Sequence, residues 1–132
     1  MEKTLVILKP DAVRRKLVGN IISRFENKNF NIADMKLVVL SNDIIKEHYA
    51  HIKNIPAYPE IVEFMTSGPV VVMVLEGENV IKFVRNMIGK TNILEATPGT
   101  IRGDFGTSLT ENIIHASDSP ENAEIEIRRF FS

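Results

Sequence analysis

The sequence predicts an α/β fold, more specifically an α+β sandwich of the ferredoxin-like type, in which helices pack on a four-stranded antiparallel sheet. Two continuous apolar runs, at residues 4–8 and 70–75, are typical of strands that are buried on both faces. Between the expected strands, apolar residues recur at helical spacing, which indicates amphipathic helices. The resulting order of strand, helix, strand, helix pair, strand, helix, strand and helix corresponds to two split β-α-β units.

The first strand is expected at residues 4–8, because Lys9-Pro10 ends the apolar run. An amphipathic helix follows, whose apolar face carries Val18, Ile21, Ile22 and Phe25. Residues 32–40 then alternate between apolar and polar side chains, and a strand with one solvent-exposed face fits this pattern. We expect the polar side to be the exposed one, with Ala33, Met35, Leu37 and Val39 on the opposite side from Asp34 and Lys36.

The middle of the chain predicts two helices, a strand and a third helix. Ser41 is a suitable N-cap for a helix with one apolar face, formed by Ile45, His48, Tyr49 and Ile52. A second short helix, with Ile61, Phe64 and Met65 inward, follows the interruption by Pro56 and Pro59. After the strand at residues 70–75, a helix is expected to end at Gly89, a residue that is frequent just past helix C-termini.

Residues 89–112 show no periodic pattern and are rich in Gly, Thr, Ser and Pro. A loop of this length in a small domain is usually functional or disordered. A short strand is then expected at residues 112–116. Ser119 as N-cap and Pro120 at the first helical position begin a last helix. Its inward side chains would be Ala123, Ile127, Phe130 and Phe131.

The composition narrows the possible functions. The length of 132 residues predicts a single domain over residues 1–132. A net charge of -1 provides no general attraction to nucleic acid or to an anionic membrane. The absence of cysteine excludes disulfides, thiolate metal sites and a cysteine nucleophile. The N-terminal apolar run is too short for a signal peptide or a membrane span, so we expect a soluble cytoplasmic protein.

His115 stands at the end of the last predicted strand, where an imidazole can act as base, metal ligand or nucleophile. On position alone, a satisfied polar residue at a strand end is the more common explanation. Glu126 falls on the inward side of the last helix, close to His115, and a carboxylate there could orient the imidazole. The alternative is a Glu126 at the edge of the apolar face, paired with Arg129 at the surface. Both interpretations are open from the pattern alone.

Three cations are candidates for phosphate binding: Lys9 at a strand end, Arg85 off the apolar face of its helix, and Arg102 in a glycine-flanked loop. Taken singly, each is more often a solvated surface charge. Neither a Walker-type loop nor a dinucleotide fingerprint is present, so side chains would have to hold any phosphate. His48 and His51 are interpreted as structural, and no metal site made of protein side chains is expected.

Several segments together resemble the nucleoside diphosphate kinase family. Residues 112–119 read NIIHASDS and are similar to the active-site signature of that family, N-x-x-H-[GA]-S-D. The opening segment LKPDAV at residues 8–13 resembles the family's K-P-D-[GA] motif. Further matches occur in the family's order and spacing, namely EHY at 47–49, SGPV at 67–70, GKTN at 89–92 and PGTIRGDF at 98–105.

This resemblance implies a kinase of nucleotide metabolism that transfers the γ-phosphoryl group from a nucleoside triphosphate to a nucleoside diphosphate. His115 would be the phosphorylated nucleophile of a ping-pong mechanism, which makes the protein a phosphoprotein, and Glu126 and Ser117 would orient its imidazole. Lys9 would belong to the catalytic residues as well. The nucleotide contacts implied by the family are Lys9, Tyr49, Arg85, Thr91, Arg102 and Asn112. Mg²⁺ would arrive with the nucleotide rather than on protein side chains.

The chain departs from the family at the expected nucleoside end of the pocket and at its C-terminus. Ala57 stands where many members place the aromatic residue that stacks on the base, although Tyr58 follows directly. The chain ends at Ser132, whereas many members continue further. The resemblance implies a homo-oligomer, and the short tail leaves hexamer and tetramer open.

The sequence leaves two rival interpretations. Ferredoxin-like sheets often bind RNA, but such sheets carry aromatic residues on their central strands and a basic face. Residues 5–8 and 70–75 contain no aromatic residue, so nucleic-acid binding is not expected as the main function. The second rival is a catalytically silent family member, against which the complete set of site residues argues.

Overall fold

The computed structural model describes residues 1–131, and within that range it has four strands and seven α-helices. The strands are β1 (Glu2–Leu8), β2 (Asn31–Val38), β3 (Val70–Gly77) and β4 (Ile114–Ala116). The helices are α1 (Pro10–Arg14), α2 (Val18–Asn27), α3 (Asn42–His48), α4 (Tyr58–Met65), α5 (Val80–Ile88), α6 (Ile101–Phe105) and α7 (Pro120–Phe131). A single 3₁₀ turn, Ala50–Ile52, follows α3. Ser132, the last residue of the predicted domain, lies outside the described residues.

The four strands form one antiparallel sheet in the order β2-β3-β1-β4. This order, with the crossover helices α2 and α5 together on one face, confirms the predicted ferredoxin-like fold, and α3, α4 and α7 cover the other face. In the pairing of β1 with β4, Ile7 lies opposite His115. Because β1 occupies an interior position and its C-terminal end leads directly to Lys9, the sheet brings Lys9 close to the short strand that carries His115.

Each face of the sheet supports its own hydrophobic core. Alternate residues of β1 point to opposite faces, as a strand requires. Val6 and Leu8 pack with side chains of α2 and α5, including Phe25 and Ile88. Leu5 and Ile7 pack on the other face with α3, α4 and α7, to which Ile45, Met65 and Phe130 belong. The continuous apolar run at residues 4–8 is therefore explained by coverage on both sides.

The predicted helix ends are confirmed by their hydrogen bonds. The Ser41 hydroxyl accepts a bond of 3.3 Å from the backbone N–H of Ile44 at the start of α3. At the start of α7, the Ser119 hydroxyl accepts a bond of 3.1 Å from the N–H of Asn122. Gly89 follows α5 with a φ of 84°, and a Cβ there would lie 2.5 Å from Oγ1 of Thr100. Both the backbone angle and the close approach require glycine.

The expectation for the exposed side of β2 is wrong. Met35, Leu37 and Val39 are 48%, 66% and 59% exposed, although the pattern placed them on the covered side. Met35 and Leu37 pair with Met73 and Val71, so they lie on the same face as the α2–α5 core, but β2 is an edge strand and lies beyond those helices. The sequence pattern indicates that one face of β2 is apolar. Whether that face is buried depends on which helices extend as far as the edge of the sheet.

The segment 89–112 is more ordered than its composition indicates. It contains the five-residue helix α6, whose N-cap Thr100 accepts a bond of 3.0 Å from the N–H of Gly103. Helix α1, directly after β1, was also not anticipated. Both helices are too short to display an apolar period. Across residues 1–131, the helices are all too short or too polar to cross a bilayer.

Candidate active site

A cleft of about 650 Å³ opens beside the C-terminal end of β1 and the strand β4. It is formed where the segments after β1 and α3, the helices α5, α6 and α7, and the segment before β4 converge. Most of the site residues expected from the sequence line it: Lys9, Tyr49, Arg85, Thr91, Arg102, Asn112, His115 and Glu126. The sheet therefore gathers into one cavity residues that are scattered along almost the whole chain.

His115 is held by the carboxylate of Glu126. Nε2 of His115 lies 3.1 Å from Oε1 of Glu126, and the same oxygen accepts a bond of 2.6 Å from the hydroxyl of Ser117. Ser117 is fully buried, and its oxygen in turn accepts a bond of 3.1 Å from the backbone N–H of Leu5 on β1. The carboxylate that orients the imidazole is thus anchored, through Ser117, to the central sheet.

The charge state of Glu126 determines the tautomer of His115. Burial alone would raise the pKa of Glu126, but the hydrogen bonds and charge of His115, with the bond from Ser117, outweigh it and lower that pKa. An ionised carboxylate can only accept hydrogen bonds, so Nε2 of His115 must carry the hydrogen. Within residues 1–131 no side chain bonds to Nδ1 of His115, which keeps its lone pair available. This arrangement presents one imidazole nitrogen as a nucleophile.

The backbone before His115 forms a tight turn centred on Ile113. Ile113 has a φ of 80°, and the N–H of Ile114 donates to the carbonyl of Asn112 at 2.9 Å, which is a γ-turn. A β-branched residue at this angle is strained. The first residues after β1 hold the turn in place: the N–H of Ile113 donates to Oδ2 of Asp11 at 3.1 Å, and its carbonyl accepts from the N–H of Lys9 at 2.8 Å.

Asp11 is therefore a structural support of the site that the sequence analysis missed. Asp11 lies within the opening motif LKPDAV, for which no separate role of this residue was predicted. The available signal was an acidic residue in the first turn after a buried strand, in a segment that must pack against the end of the sheet. Burial raises the pKa of Asp11, while the charge of Lys9 and backbone hydrogen bonds act in the opposite direction.

Lys9 reaches into the cleft and donates a bond of 2.6 Å from Nζ to Oδ1 of Asn112. Both side chains are buried. Burial, reinforced by the nearby charge of Arg102, lowers the pKa of Lys9 from 10.5 to about 8. Asn112 is itself held by a bond of 3.0 Å from its amide nitrogen to the carbonyl of Leu109. The Lys9 ammonium group is thus held in place by Asn112, and the nearby charge of Asp11 neutralises it only in part.

Arg102 and Arg85 add two further positive charges to the cleft. The Arg102 guanidinium donates to the carbonyls of Gly89 and Ile114 at 3.1 and 2.7 Å. These bonds connect α6 to the end of α5 and to the start of β4. Burial, together with the charge of Arg85, lowers the pKa of Arg102 to about 10. Arg85 donates to the carbonyl of Ala116 at 3.1 Å, and Thr91 lies 3.5 Å from the Arg102 guanidinium. Lys9, Arg85 and Arg102 therefore line the same cleft as His115, although the whole chain has a net charge of -1.

The nucleoside end of the expected pocket is less defined. Burial raises the pKa of Tyr49 to about 12, so its hydroxyl stays protonated in the cleft. Ala57 is exposed at the N-cap of α4 and is not among the residues that line the cleft, and Tyr58 borders a separate surface depression. The role expected for Ala57 stays a prediction.

His48 was interpreted as structural, but it contacts the site directly. Its ring packs edge-to-face on that of His115, with 4.7 Å between centroids, and its Nδ1 lies 4.0 Å from Oε2 of Glu126. The acidic neighbour of His48 is Glu126, which is distant in sequence and adjacent in space. The side chain of Arg129 bonds to His48 rather than to Glu126, so the alternative of a surface Glu126–Arg129 pair is not what the structure has.

The ligand atoms of His48, His115 and Glu126 all lie within 4.8 Å of one another, a set that can hold a metal ion. However, NH1 of Arg129 lies 2.8 Å from Nδ1 of His48 and occupies its lone pair. A cation bound there would also have to displace the hydrogen on Nε2 of His115. In the structure, these nitrogen and oxygen atoms instead form the hydrogen bonds that orient His115 and His48.

The sequence model of the nucleoside diphosphate kinase family matches residues 2–132. The chain belongs to this family. A nucleoside diphosphate kinase of Acetivibrio thermocellus is 57% identical over 131 residues, covering 99% of this chain and 96% of that protein. A nucleoside diphosphate kinase of Methanocaldococcus jannaschii is 57% identical over 98% of this chain and 93% of its own length.

A solved structure agrees with these sequence relatives. The apo crystal structure of nucleoside diphosphate kinase from Encephalitozoon cuniculi superposes with a TM-score of 0.97. It is 44% identical, with 99% of this chain and 89% of that chain covered. As a nucleoside diphosphate kinase, the chain is a phosphotransferase of nucleotide metabolism that acts on nucleoside di- and triphosphates. This conclusion also excludes the RNA-binding rival as the main function.

Proposed function

We propose that this nucleoside diphosphate kinase works through a phosphohistidine at His115. The observation that carries the proposal is the bond of 3.1 Å between Nε2 of His115 and Glu126, which leaves Nδ1 as the nucleophile beside a cationic cleft. Ser117 supports the same carboxylate. We therefore assign catalytic roles to His115, Glu126, Ser117 and Lys9.

In the first half-reaction, Nδ1 of His115 attacks the γ-phosphorus of a nucleoside triphosphate. A phosphorus–nitrogen bond forms while the bond from that phosphorus to the β–γ bridging oxygen breaks, and the nucleoside diphosphate leaves. The hydrogen on Nε2 remains shared with Glu126, which stabilises the positive charge that develops on the ring. An acceptor diphosphate then attacks the phosphohistidine in the reverse sense, and free His115 is restored.

The cations stabilise the negative charge that spreads over the phosphoryl group during its transfer. Phosphoryl transfer requires mainly positioning and electrostatic stabilisation. We assign Lys9, Arg85, Thr91 and Arg102 to the phosphates, and Lys9 with Asn112 to the sugar hydroxyl region. Tyr49 contacts the nucleotide as well. Ala57 would lie toward the base, where recognition by stacking accepts any base because each has a π-face.

A divalent metal accompanies the nucleotide in this family, and we propose that it is Mg²⁺ bound to the phosphates of the substrate. Lys9, Arg85 and Arg102 favour phosphate oxygens over a bare divalent cation at this wall of the cleft. Mg²⁺ would neutralise part of the phosphate charge as it enters with the nucleotide. The protein residues would then bind and orient the complex.

The assembly and location are further proposals. We propose one domain over residues 1–132 and a homo-oligomer, either hexamer or tetramer. The exposed Met35 and Leu37 on the edge strand β2, with Val39 directly after it, support self-association, since edge strands with apolar side chains tend to be covered. Light scattering would determine the subunit number. We also propose a cytoplasmic location, where its nucleotide substrates are available, which cell fractionation would test.

Steady-state kinetics test the proposed route. If a phosphoenzyme forms and the diphosphate leaves before the acceptor binds, double-reciprocal plots at several acceptor concentrations are parallel. Intersecting lines would indicate direct transfer between two bound nucleotides and would contradict the phosphohistidine. The exchange of label between a triphosphate and its own diphosphate, without an acceptor, is a second expected result.

A further inference from the structure

Arg129 is a cation of the cleft that neither the sequence motifs nor the proposed mechanism uses. It lies on α7, one turn after Glu126, and its side chain is only 14% exposed. NH1 of Arg129 lies 2.8 Å from Nδ1 of His48, and its Nε lies 3.6 Å from a carboxylate oxygen of Glu47. Because a guanidinium can only donate hydrogen bonds, Nδ1 of His48 must be the acceptor. His48 then carries its single hydrogen on Nε2.

The surroundings of His48 keep it neutral. Its ring packs edge-to-face against the rings of Tyr49, His115 and Phe130, with centroid distances of 4.8, 4.7 and 5.3 Å. Burial in this aromatic environment, together with the charges of His115 and Arg129, outweighs the opposing charge of Glu126 and lowers the pKa of His48 to about 3. The ring is therefore uncharged at neutral pH, and its tautomer is determined by what its Nδ1 contacts.

This tautomer matters because His48 and His115 face the same carboxylate. Nδ1 of His48 lies 4.0 Å from Oε2 of Glu126, while the other oxygen of Glu126 accepts from His115 and Ser117. If Nδ1 of His48 carried a hydrogen, a small rotation would let it donate to Glu126. The carboxylate would then be drawn toward His48 and would orient His115 less well. The acceptor state of His48 prevents this competition.

We propose that Arg129 is a positioning residue, which holds Nδ1 of His48 as an acceptor and so reserves the Glu126 carboxylate for His115. The proposal rests on the proposed function of His115 as nucleophile. Arg129 acts through His48 and Glu126 and need not touch the nucleotide. Its neighbour Arg128 is exposed and pairs with Glu124 one turn away, so it provides a matched control on the same helix.

The tautomer itself can be measured without any reaction. In the complete ¹⁵N-histidine-labelled protein, two-bond proton–nitrogen couplings distinguish hydrogen on Nε2 from hydrogen on Nδ1. We expect His48 of the wild type to be neutral with its hydrogen on Nε2. In Arg129→Met, we expect the Nδ1–H tautomer or a protonated ring to appear, and Arg128→Met to match the wild type. A wild-type His48 with hydrogen on Nδ1, or an unchanged tautomer in Arg129→Met, overturns the proposal.

The kinetic consequence is expected on phosphorylation rather than on nucleotide binding. In single-turnover experiments, Arg129→Met should slow the phosphorylation of His115 about tenfold and change the nucleotide Kd less than about twofold. Arg129→Lys, which keeps a cationic donor, should recover most of the rate. Arg128→Met should keep the wild-type rate. An unchanged rate in Arg129→Met contradicts the positioning role, and thermal unfolding of each variant confirms that it is folded.

A double-mutant cycle separates positioning from direct phosphate binding. In a His48→Phe background no Nδ1 can compete for Glu126, so Arg129→Met should then cost less than about twofold in rate. If Arg129→Met instead weakens nucleotide binding equally in both backgrounds, Arg129 is a phosphate ligand and the proposal is wrong. If the wild type itself is not phosphorylated, the proposed function fails, while the tautomer measurement still decides the contact between Arg129 and His48.

Discussion

Glu126 approaches His115 from the last helix, and the two side chains meet at 3.1 Å although they belong to different secondary-structure elements. The same Glu126 oxygen accepts the Ser117 hydroxyl, which is bound to the backbone of the central strand. The imidazole of His115 is thus oriented by a carboxylate that Ser117 ties to the central strand of the sheet. A side chain is positioned precisely only when the residue that contacts it is itself held in place by further hydrogen bonds.

Glu126→Gln should slow the phosphorylation of His115 by about tenfold to hundredfold, because the ring loses a charged partner that fixes its tautomer. Nucleotide affinity should change much less, since Glu126 orients the nucleophile rather than the phosphates. Rapid-quench measurement of phosphoenzyme formation gives the rate. Glu121→Gln, on the exposed first turn of the same helix, should keep the wild-type rate. A Glu126→Gln enzyme with the wild-type rate would contradict the assigned role.

Lys9 should make kcat/KM fall at alkaline pH. The pKa of Lys9 is lowered to about 8 in the free protein, so the ammonium is present below that pH and is lost as the pH rises through it. Since kcat/KM reports the free enzyme, it should decrease above about pH 8, while bound phosphates should keep Lys9 charged and kcat flatter. Lys9→Met should have a lower kcat/KM without this alkaline decrease. A wild-type profile that stays flat to about pH 9.5 would contradict the assignment.

Asp11→Ala should destabilise the protein and displace the turn that leads to His115. The substitution leaves the buried N–H of Ile113 without its acceptor, a loss that typically costs about 1–3 kcal/mol in the free energy of unfolding. Urea unfolding measures this cost, and Asp43→Ala, at an exposed position, should cost less than about 0.5 kcal/mol. Equal stability of Asp11→Ala and the wild type would mean that Asp11 does not support the turn.

Ala57→Phe should tighten nucleotide binding if this position reaches the base, as the family resemblance implies. One added stacking contact is worth about 1 kcal/mol, which corresponds to roughly a fivefold lower Kd. Titration calorimetry with a nucleoside diphosphate measures it. Ala57→Leu adds apolar bulk without a π-face and should gain less. Unchanged affinity in Ala57→Phe would show that the exposed N-cap of α4 does not act on the base.

The sequence predicted the fold well where elements are long and periodic. The apolar run of β1 and the inward face of α7 lie where the pattern placed them, because burial on both faces and helical spacing leave clear signatures. The short helices α1 and α6 carry no such signature. The exposure of Leu37 on β2 depends on how far the covering helices extend, which no local pattern encodes.

The sequence motifs predicted the main residues of the site, but they did not reveal all the contacts among its side chains. His115, Lys9 and Arg102 follow from the resemblance, and the structure brings them to one cleft. The contact of His48 with Glu126 is different, because it joins residues that are far apart in sequence and each has an ordinary local explanation. Arg129 is a similar case, since its partner is defined only once α3 and α7 pack together.

The most direct test of this account is the phosphorylation of His115 itself. After the protein is mixed with a γ-labelled nucleoside triphosphate and Mg²⁺, we expect an acid-labile, base-stable phosphoprotein whose label maps to His115. His115→Ala should carry no label, and addition of a nucleoside diphosphate should remove the label from the wild type. An unlabelled wild type, or equal labelling of His115→Ala, would contradict the account.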